Sequence, residues 1–239
     1  MTIKLPELSI FFPFWNEEQN IEDVVIKAQS IAGQVAKKWE IIMIDDGSTD
    51  KTLEIMNRLA KEDDRLIAVS HQPNRGYGAS LKEGFEHAQY KYIVFTDGDR
   101  QFDFSEITKF IGIIDSSDIV IGYRKERRDH GISTRLLLMN LLKVWDWMLF
   151  GFRFKDIDCG FKMFTRTAID TIMPLRSEGA MITTEILAKA TKKKLRIKQI
   201  GVSHYPRQYG ISTGANLPVV IRAVLESLIL WWDIKNGRF

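Results

Sequence analysis

The chain opens as a regular alternation of short apolar runs and amphipathic segments. LSIFFPF is an apolar run of strand length, and from Asn20 to Ala36 the positions Ile21, Val24, Val25, Ala28 and Ile31 recur at helical spacing. EIIMID predicts a second strand, and the GST after it predicts a helix start, capped by Ser48 and running through LEIMNRLAKE. LIAVSH, ASLKEGFEHA, YIVFTD, ITKFIGIID and DIVIGY continue the series as strand, helix, strand, helix and strand. Near-continuous apolar strands between amphipathic helices imply a parallel sheet covered on both faces. Such sheets present ligands beyond the carboxyl ends of their strands.

Beyond about residue 124 the rhythm breaks. Ser133 to Phe150 predicts a helix, DCGFKMF a short strand, MITTEILAKATKKK a helix, IKQIGVSHYP a strand, and Pro218 to about Ile234 a final helix. No linker, repeat or low-complexity run divides the chain. The expectation is one α/β domain, residues 1–239, with a nucleotide-type half up to about 124 and an elaborated half from about 125.

Composition narrows the function classes. A net charge of +3 is mild, and no basic stripe is interleaved with stacking aromatics, so nucleic acid is not an expected partner. The single Cys159 excludes an internal disulfide framework and a cysteine zinc site, which suits a reducing compartment. The N-terminus reaches Glu17 and Glu18 before any small-residue cleavage site and reads as a first strand, not a signal peptide. No uncharged apolar run approaches the roughly 18 residues of a spanning helix, so a soluble or membrane-peripheral protein is expected. TRLLLMNLLKVWDWMLFGFRF is apolar around most of its circumference, carries Trp145 and Trp147, and is interrupted by Lys143 and Asp146. That composition fits a helix lying in the membrane interface, and equally a buried or dimer-forming helix. VLESLILWWDIK, with Trp231 and Trp232, is its candidate companion.

The chemistry concentrates where strands end. FTDGDRQFD places Asp97, Asp99 and Asp103 within seven residues, and carboxylates so close need a compensating charge or solvent. With only Gly98 between them, Asp97 and Asp99 can turn toward one hard cation, magnesium or manganese, whose remaining ligands come from a diphosphate. A solvated turn is the plain alternative; a calcium loop fails, because Phe102 stands where its turn glycine belongs and Thr108 where its glutamate does. Asp103 suits the start of the next helix. IDDGSTD ends the second strand on the same rim, where Asp46 can accept from a base or ribose, or merely cap a helix. HQPNRGYGASLKEG offers Gly76 and Gly78 but Leu81 in the third glycine position, so it is no dinucleotide fingerprint, although such a loop can approach a ligand closely. Arg124, Lys125, Arg127, Arg128, Arg135 and Arg207 supply cations; the four histidines lack ligand spacing.

FPFWNEE, IDDGSTD, NRGYGASLKEGF, TDGDRQFD, IGYR and DCGFKMF, in that order, resemble the motifs of family-2 glycosyltransferases with the GT-A fold, in the dolichyl- or polyprenyl-phosphate sugar synthase branch. The likeness runs from about Leu8 to about Thr213. It implies a Rossmann-like nucleotide-sugar half with a mostly parallel sheet, and an acceptor half with amphipathic interface helices. It places Pro13, Phe14 (where Tyr is common) and Glu17 beside the base, and Asp46 facing base and ribose. Asp97 and Asp99, with Gln101, handle the metal and diphosphate. Arg124 and Arg135 look like phosphate-contacting arginines, and Arg207 resembles a late basic residue on a loop closing over the donor. Asp158, Glu185 and Ser212 fall on the acceptor side.

The reaction so implied is inverting transfer from a GDP-mannose or UDP-hexose type donor to a polyprenyl phosphate, assisted by magnesium or manganese, at the cytoplasmic membrane face. Cations stabilise the charge on the leaving diphosphate, and an acceptor that is already anionic needs no base. Two alternatives stay open: transfer to a sugar or protein hydroxyl with Glu185 as base, and a non-catalytic nucleotide-sugar-binding scaffold. The apolar helices could equally serve a homodimer or a separate membrane partner.

Overall fold

A computed structural model describes residues 4–125, 144–209 and 217–238, of which 217–223 are described by backbone alone. Strands and helices follow the predicted order: β1 Leu5–Phe14, α1 Ile21–Val35, β2 Ala36–Asp45, α2 Thr52–Glu62, β3 Leu66–Ser70, α3 Tyr77–His87, β4 Tyr92–Phe95, α4 Ile107–Ile114 and β5 Ile119–Arg124. Residues 144–150 are helical and form α5, and the rest of the helix predicted from Ser133 lies outside the described residues. β6 Lys162–Thr165, α6 Arg166–Ile172, α7 Ile182–Lys192, β7 Ile197–Val202 and α8 Leu217–Lys235 complete the chain.

The seven strands of the described residues form one sheet in the order β3-β2-β1-β4-β6-β5-β7. All pairings are parallel except those of β6, which runs antiparallel to β4 and β5. That reversal positions the site. Phe95, the last residue of β4, pairs with Lys162, the first of β6, so the segment entering β6 crosses the rim where β4 ends.

Both sheet faces are buried, which is why the strands read as continuous apolar runs. Phe12, Phe14, Met43 and Val94 pack on one side with Phe104, Phe110 and Phe161. Phe11, Ile42, Ile44 and Phe95 pack on the other with Phe85, Phe164 and Ile186. Phe110 stacks on Phe161 at 4.4 Å on the first side, and Phe85 meets Phe164 edge-on at 5.2 Å on the second.

One local expectation is corrected. Ser48 does not cap α2; Asp50 does that work, accepting from the Thr52 amide at 2.9 Å, two residues on. The Ser48 hydroxyl instead accepts from the Asn16 amide at 2.9 Å, tying the β1–α1 loop to the β2–α2 loop. Helix α6 had no periodic signal because it is short; Thr165 caps it through the Ala168 amide at 3.2 Å.

Candidate active site

After β4 the chain turns through Asp97, Gly98 and Asp99 at the carboxyl rim. The turn lies directly on its neighbours: a Cβ at Gly98 would overlap the Phe14 ring, and one at Gly160 would overlap the Asp97 carboxylate. Phe14, placed beside the base by the resemblance, is a core residue, 1% exposed, with its ring under the turn. The Tyr77 hydroxyl donates to Asp97 Oδ1 at 2.9 Å. Burial, and then the charge of Asp99, push the Asp97 carboxyl up to about 6, against the pull of Tyr77, Lys162 and Arg124. Gly160→Ala is expected to destabilise the fold by about 1–3 kcal/mol through overpacking, measurable as a lower urea midpoint at unchanged slope.

Asp99 has a cationic partner within the chain. Arg207 Nη2 lies 3.2 Å from Asp99 Oδ2 and 2.6 Å from Glu17 Oε1. The segment leading to Arg207 is stitched to the turn: the Tyr205 amide donates to the Gln101 carbonyl at 2.8 Å, and Gln101 Nε2 donates to the Tyr205 carbonyl at 3.1 Å. Gln101, expected at the metal, thus also braces the arginine segment. Glu17 is buried, and that burial lifts its carboxyl to about 7 against the hydrogen bond from Asn20 and the charge of Arg207. The sequence placed Glu17 beside the base; the structure shows it carrying Arg207.

The second strand's acids hold loops. Asp45 accepts from the Ser48 amide at 3.1 Å and the Ser70 hydroxyl at 2.8 Å. Asp46 sits on the rim as expected, and its carboxylate accepts from the amides of Arg75 at 2.8 Å and Gly76 at 3.0 Å. Gly76 and Gly78 lie against the backbone at Glu178. The Gly78 and Ala79 amides donate to the Glu178 carbonyl at 2.8 and 3.2 Å, so the glycines serve a close approach within the chain.

On the β5–β6 side, Arg124 forms a bidentate pair with Asp156, 2.7 Å from Nε and 2.9 Å from Nη2, and both side chains are nearly enclosed. Asp156 was missed: it is buried while Asp158, two residues on in the same turn, is exposed, a division that no strand periodicity foretells. Lys162 was missed too. A lone charge inside the apolar run GFKMF was its signal: it is fully buried, donates to the Cys159 carbonyl, and is held below the usual lysine range by burial. Asp146 of α5 is pushed up to about 7 by burial and by the Asp158 charge.

Glu185, the candidate base of the hydroxyl-acceptor alternative, is held by partners of its own. It is 1% exposed, pairs with Lys189 at 2.8 Å, and accepts from the amides of Arg176 at 2.9 Å and Ser177 at 2.7 Å. Burial alone would raise its carboxyl, yet these donors hold it below the ordinary range, a poor setting for proton abstraction. Arg127, Arg128, Arg135 and Ser212 lie outside the described residues.

Asp97 and Asp99 supply two hard carboxylate donors on one turn, a donor set that fits magnesium or manganese completed by a diphosphate and water. Among the described residues no three His, Cys, Asp or Glu side chains converge into an all-protein metal cage. Away from the rim, Val144, Trp147 and Met148 of α5 are exposed, as are Leu225, Leu228, Ile229 and Trp232 along one stripe of α8. The Trp145 indole donates to Ser227 Oγ at 2.9 Å and joins the two helices. No helix among the described residues is long and apolar enough to cross a membrane.

Comparison with known proteins places this architecture. The chain is 33% identical over 220 residues to the dolichyl-phosphate beta-glucosyltransferase of Saccharomyces cerevisiae, covering 82% of this chain and 66% of that protein. It is 27% identical over 232 residues to the dodecaprenyl-phosphate galacturonate synthase of Rhizobium johnstonii, covering 96% and 68%. It is 26% identical over 209 residues to an undecaprenyl-phosphate 4-deoxy-4-formamido-L-arabinose transferase of Salmonella choleraesuis, covering 87% and 62%. The chain therefore spans about two thirds of the length of these relatives. Its GT-A fold is shared with glucosyl-3-phosphoglycerate synthase from Mycobacterium tuberculosis, solved with Mn2+, UDP-glucose and phosphoglyceric acid: TM-score 0.69, 19% identity, 95% of this chain and 79% of that one. Residues 9–173 match the model of glycosyl transferase family 2, and the chain belongs to that family.

Proposed function

We propose that this chain moves one sugar from a nucleoside diphosphate sugar, of GDP-mannose or UDP-hexose type, to a polyprenyl phosphate, with inversion. The observation that carries the reading is the Asp97–Asp99 turn with Arg207 held over it at the strand-end rim. The names of the relatives, all polyprenyl- or dolichyl-phosphate sugar transferases, support the acceptor class.

Asp97 and Asp99, with Gln101, would hold a magnesium or manganese ion, which when bound would supply Lewis-acid neutralisation of the donor diphosphate. Pro13 and Asp46 frame the nucleotide, and Arg207 steadies the leaving group. An acceptor phosphate oxygen bonds to the anomeric carbon as the bond to the diphosphate breaks, and that electron pair departs with the nucleoside diphosphate. The acceptor oxygen is an anion, so no base is required, in keeping with the locked Glu185. Asp158 and Ser212 line the acceptor side; Arg135, with Arg124 anchored by Asp156, counters phosphate repulsion. The exposed stripes of α5 and α8 rest on the membrane surface, at its cytoplasmic face, where the lipid phosphate is reached.

The test uses vesicles containing polyprenyl phosphate, manganese and a panel of labelled GDP- and UDP-sugars. Labelled lipid should form from one donor, and the protein should float with the vesicles. No transfer from any donor overturns the reading; product on free sugars alone favours a hydroxyl acceptor; failure to float sinks the membrane contact.

A further inference from the structure

We propose that Arg207 is an internal counter-cation for the Asp97–Asp99 turn, and that Glu17 is the positioning residue that retains it when a divalent cation takes its place at Asp99. This rests on the reading of that turn as the metal and diphosphate site.

Two neighbouring carboxylates need a positive charge, and here the chain supplies one. A single nitrogen, Nη2 of Arg207, is shared unequally: 2.6 Å from Glu17 Oε1 and 3.2 Å from Asp99 Oδ2. The shorter contact marks Glu17 as the firmer partner. Glu17 is itself pre-set, its amide donating to Thr52 Oγ1 at 2.9 Å and its Oε2 accepting from Asn20 Nδ2 at 2.5 Å. Among the described residues Asp99 Oδ1 accepts from the Gln101 amide at 3.1 Å, which leaves Oδ2 as the atom that can exchange partners.

A guanidinium and a divalent ion on the same carboxylate repel each other, so the ion and the Arg207–Asp99 contact compete. The double hydrogen bond between Gln101 and Tyr205 keeps Arg207 close after it leaves Asp99, and Glu17 keeps its charge partnered. A diphosphate arriving with the ion then gives the same arginine a new anion. Arg207 therefore opposes the ion alone and favours the ion with a nucleotide.

Manganese binding to the full chain, measured by titration calorimetry and by electron paramagnetic resonance of free Mn2+, tests this in wild type, Arg207→Gln, Glu17→Gln and the double variant. Each is titrated with manganese alone, then with GDP or UDP at saturating manganese. Arg207→Gln should bind manganese alone roughly threefold to tenfold more tightly, the scale of one partly screened ion pair, and bind the nucleotide more weakly by a similar factor. Glu17→Gln should weaken binding of manganese alone, and lose that effect in the Arg207→Gln background. A residue that only supports the fold would shift both ligands the same way. The inference is overturned if Arg207→Gln leaves the affinity for manganese alone unchanged or lower, or if Glu17→Gln acts equally in both backgrounds. Should Arg207→Gln fail to fold by thermal melting, Arg207→Lys should show the same opposite signs at reduced size, and like signs overturn the inference. If wild type binds no manganese even with nucleotide, the metal-site reading falls and takes this inference with it; if it binds and the variants do not split, only the counter-cation falls.

Discussion

Asp97→Asn is expected to cut sugar transfer on the order of 10^3-fold or more, because it removes a charged ligand from the group that stabilises the leaving diphosphate. The same change is expected to make the ligand-free protein more stable at pH 8. The folded Asp97 carboxyl sits near 6, above its unfolded value, so ionising it costs stability. That cost is absent at low pH and grows as pH rises through about 6, and Asn avoids it. The Tyr77 hydroxyl, which donates to Asp97 Oδ1 at 2.9 Å, still finds an acceptor on Asn. Transfer assays beside thermal melts at pH 5 and pH 8 check both halves. Activity within tenfold of wild type would remove Asp97 from the metal site, and equal or lower stability at pH 8 would remove the electrostatic cost.

Glu185→Gln should do the opposite, sparing chemistry and damaging the fold. Glu185 and Lys189 are each 1% exposed and pair at 2.8 Å, so the glutamine removes the Glu185 carboxylate from beside a buried ammonium that also donates to the Pro174 carbonyl. The expected loss is about 3–5 kcal/mol, read from urea denaturation. The folded Glu185 carboxyl lies below its unfolded value, so this contribution is present above the usual glutamate range and is lost as pH falls through it. Assayed where it remains folded, the variant should keep turnover within a few-fold of wild type. A thousandfold loss in kcat with an intact fold would restore Glu185 as a base.

Most elements were legible because their signals are local. Apolar runs bounded by turn residues marked β1, β2, β4 and β5, and helical spacing marked α1 and α7, since both patterns depend only on neighbours in the chain. Asp97 and Asp99 stood out for the same reason: a strand ends, and two acids share one turn. Partner choice was not legible. Ser48 and Asp50 are both good caps two residues apart, and only the loop packing assigns Asp50 to α2 and Ser48 to Asn16. Phe14 carries the right residue type at the right strand end, but its ring lies under Gly98 in the core. Glu185 occupies the position expected of a base while serving as the counter-charge of Lys189 one helical turn away.

By itself, then, the sequence determined the alternation of strands and helices, the burial of both sheet faces, and the rim on which the acids gather. Tertiary structure decided the reversed direction of β6, which goes with Gly160 at the end of β4 and Asp156 at the end of β5, and the partner of each charge. The physical reason is range. Periodicity is written within a few residues, whereas Arg207 meets Glu17 across 190 positions of chain, a contact that exists only once the sheet has brought three strand ends together.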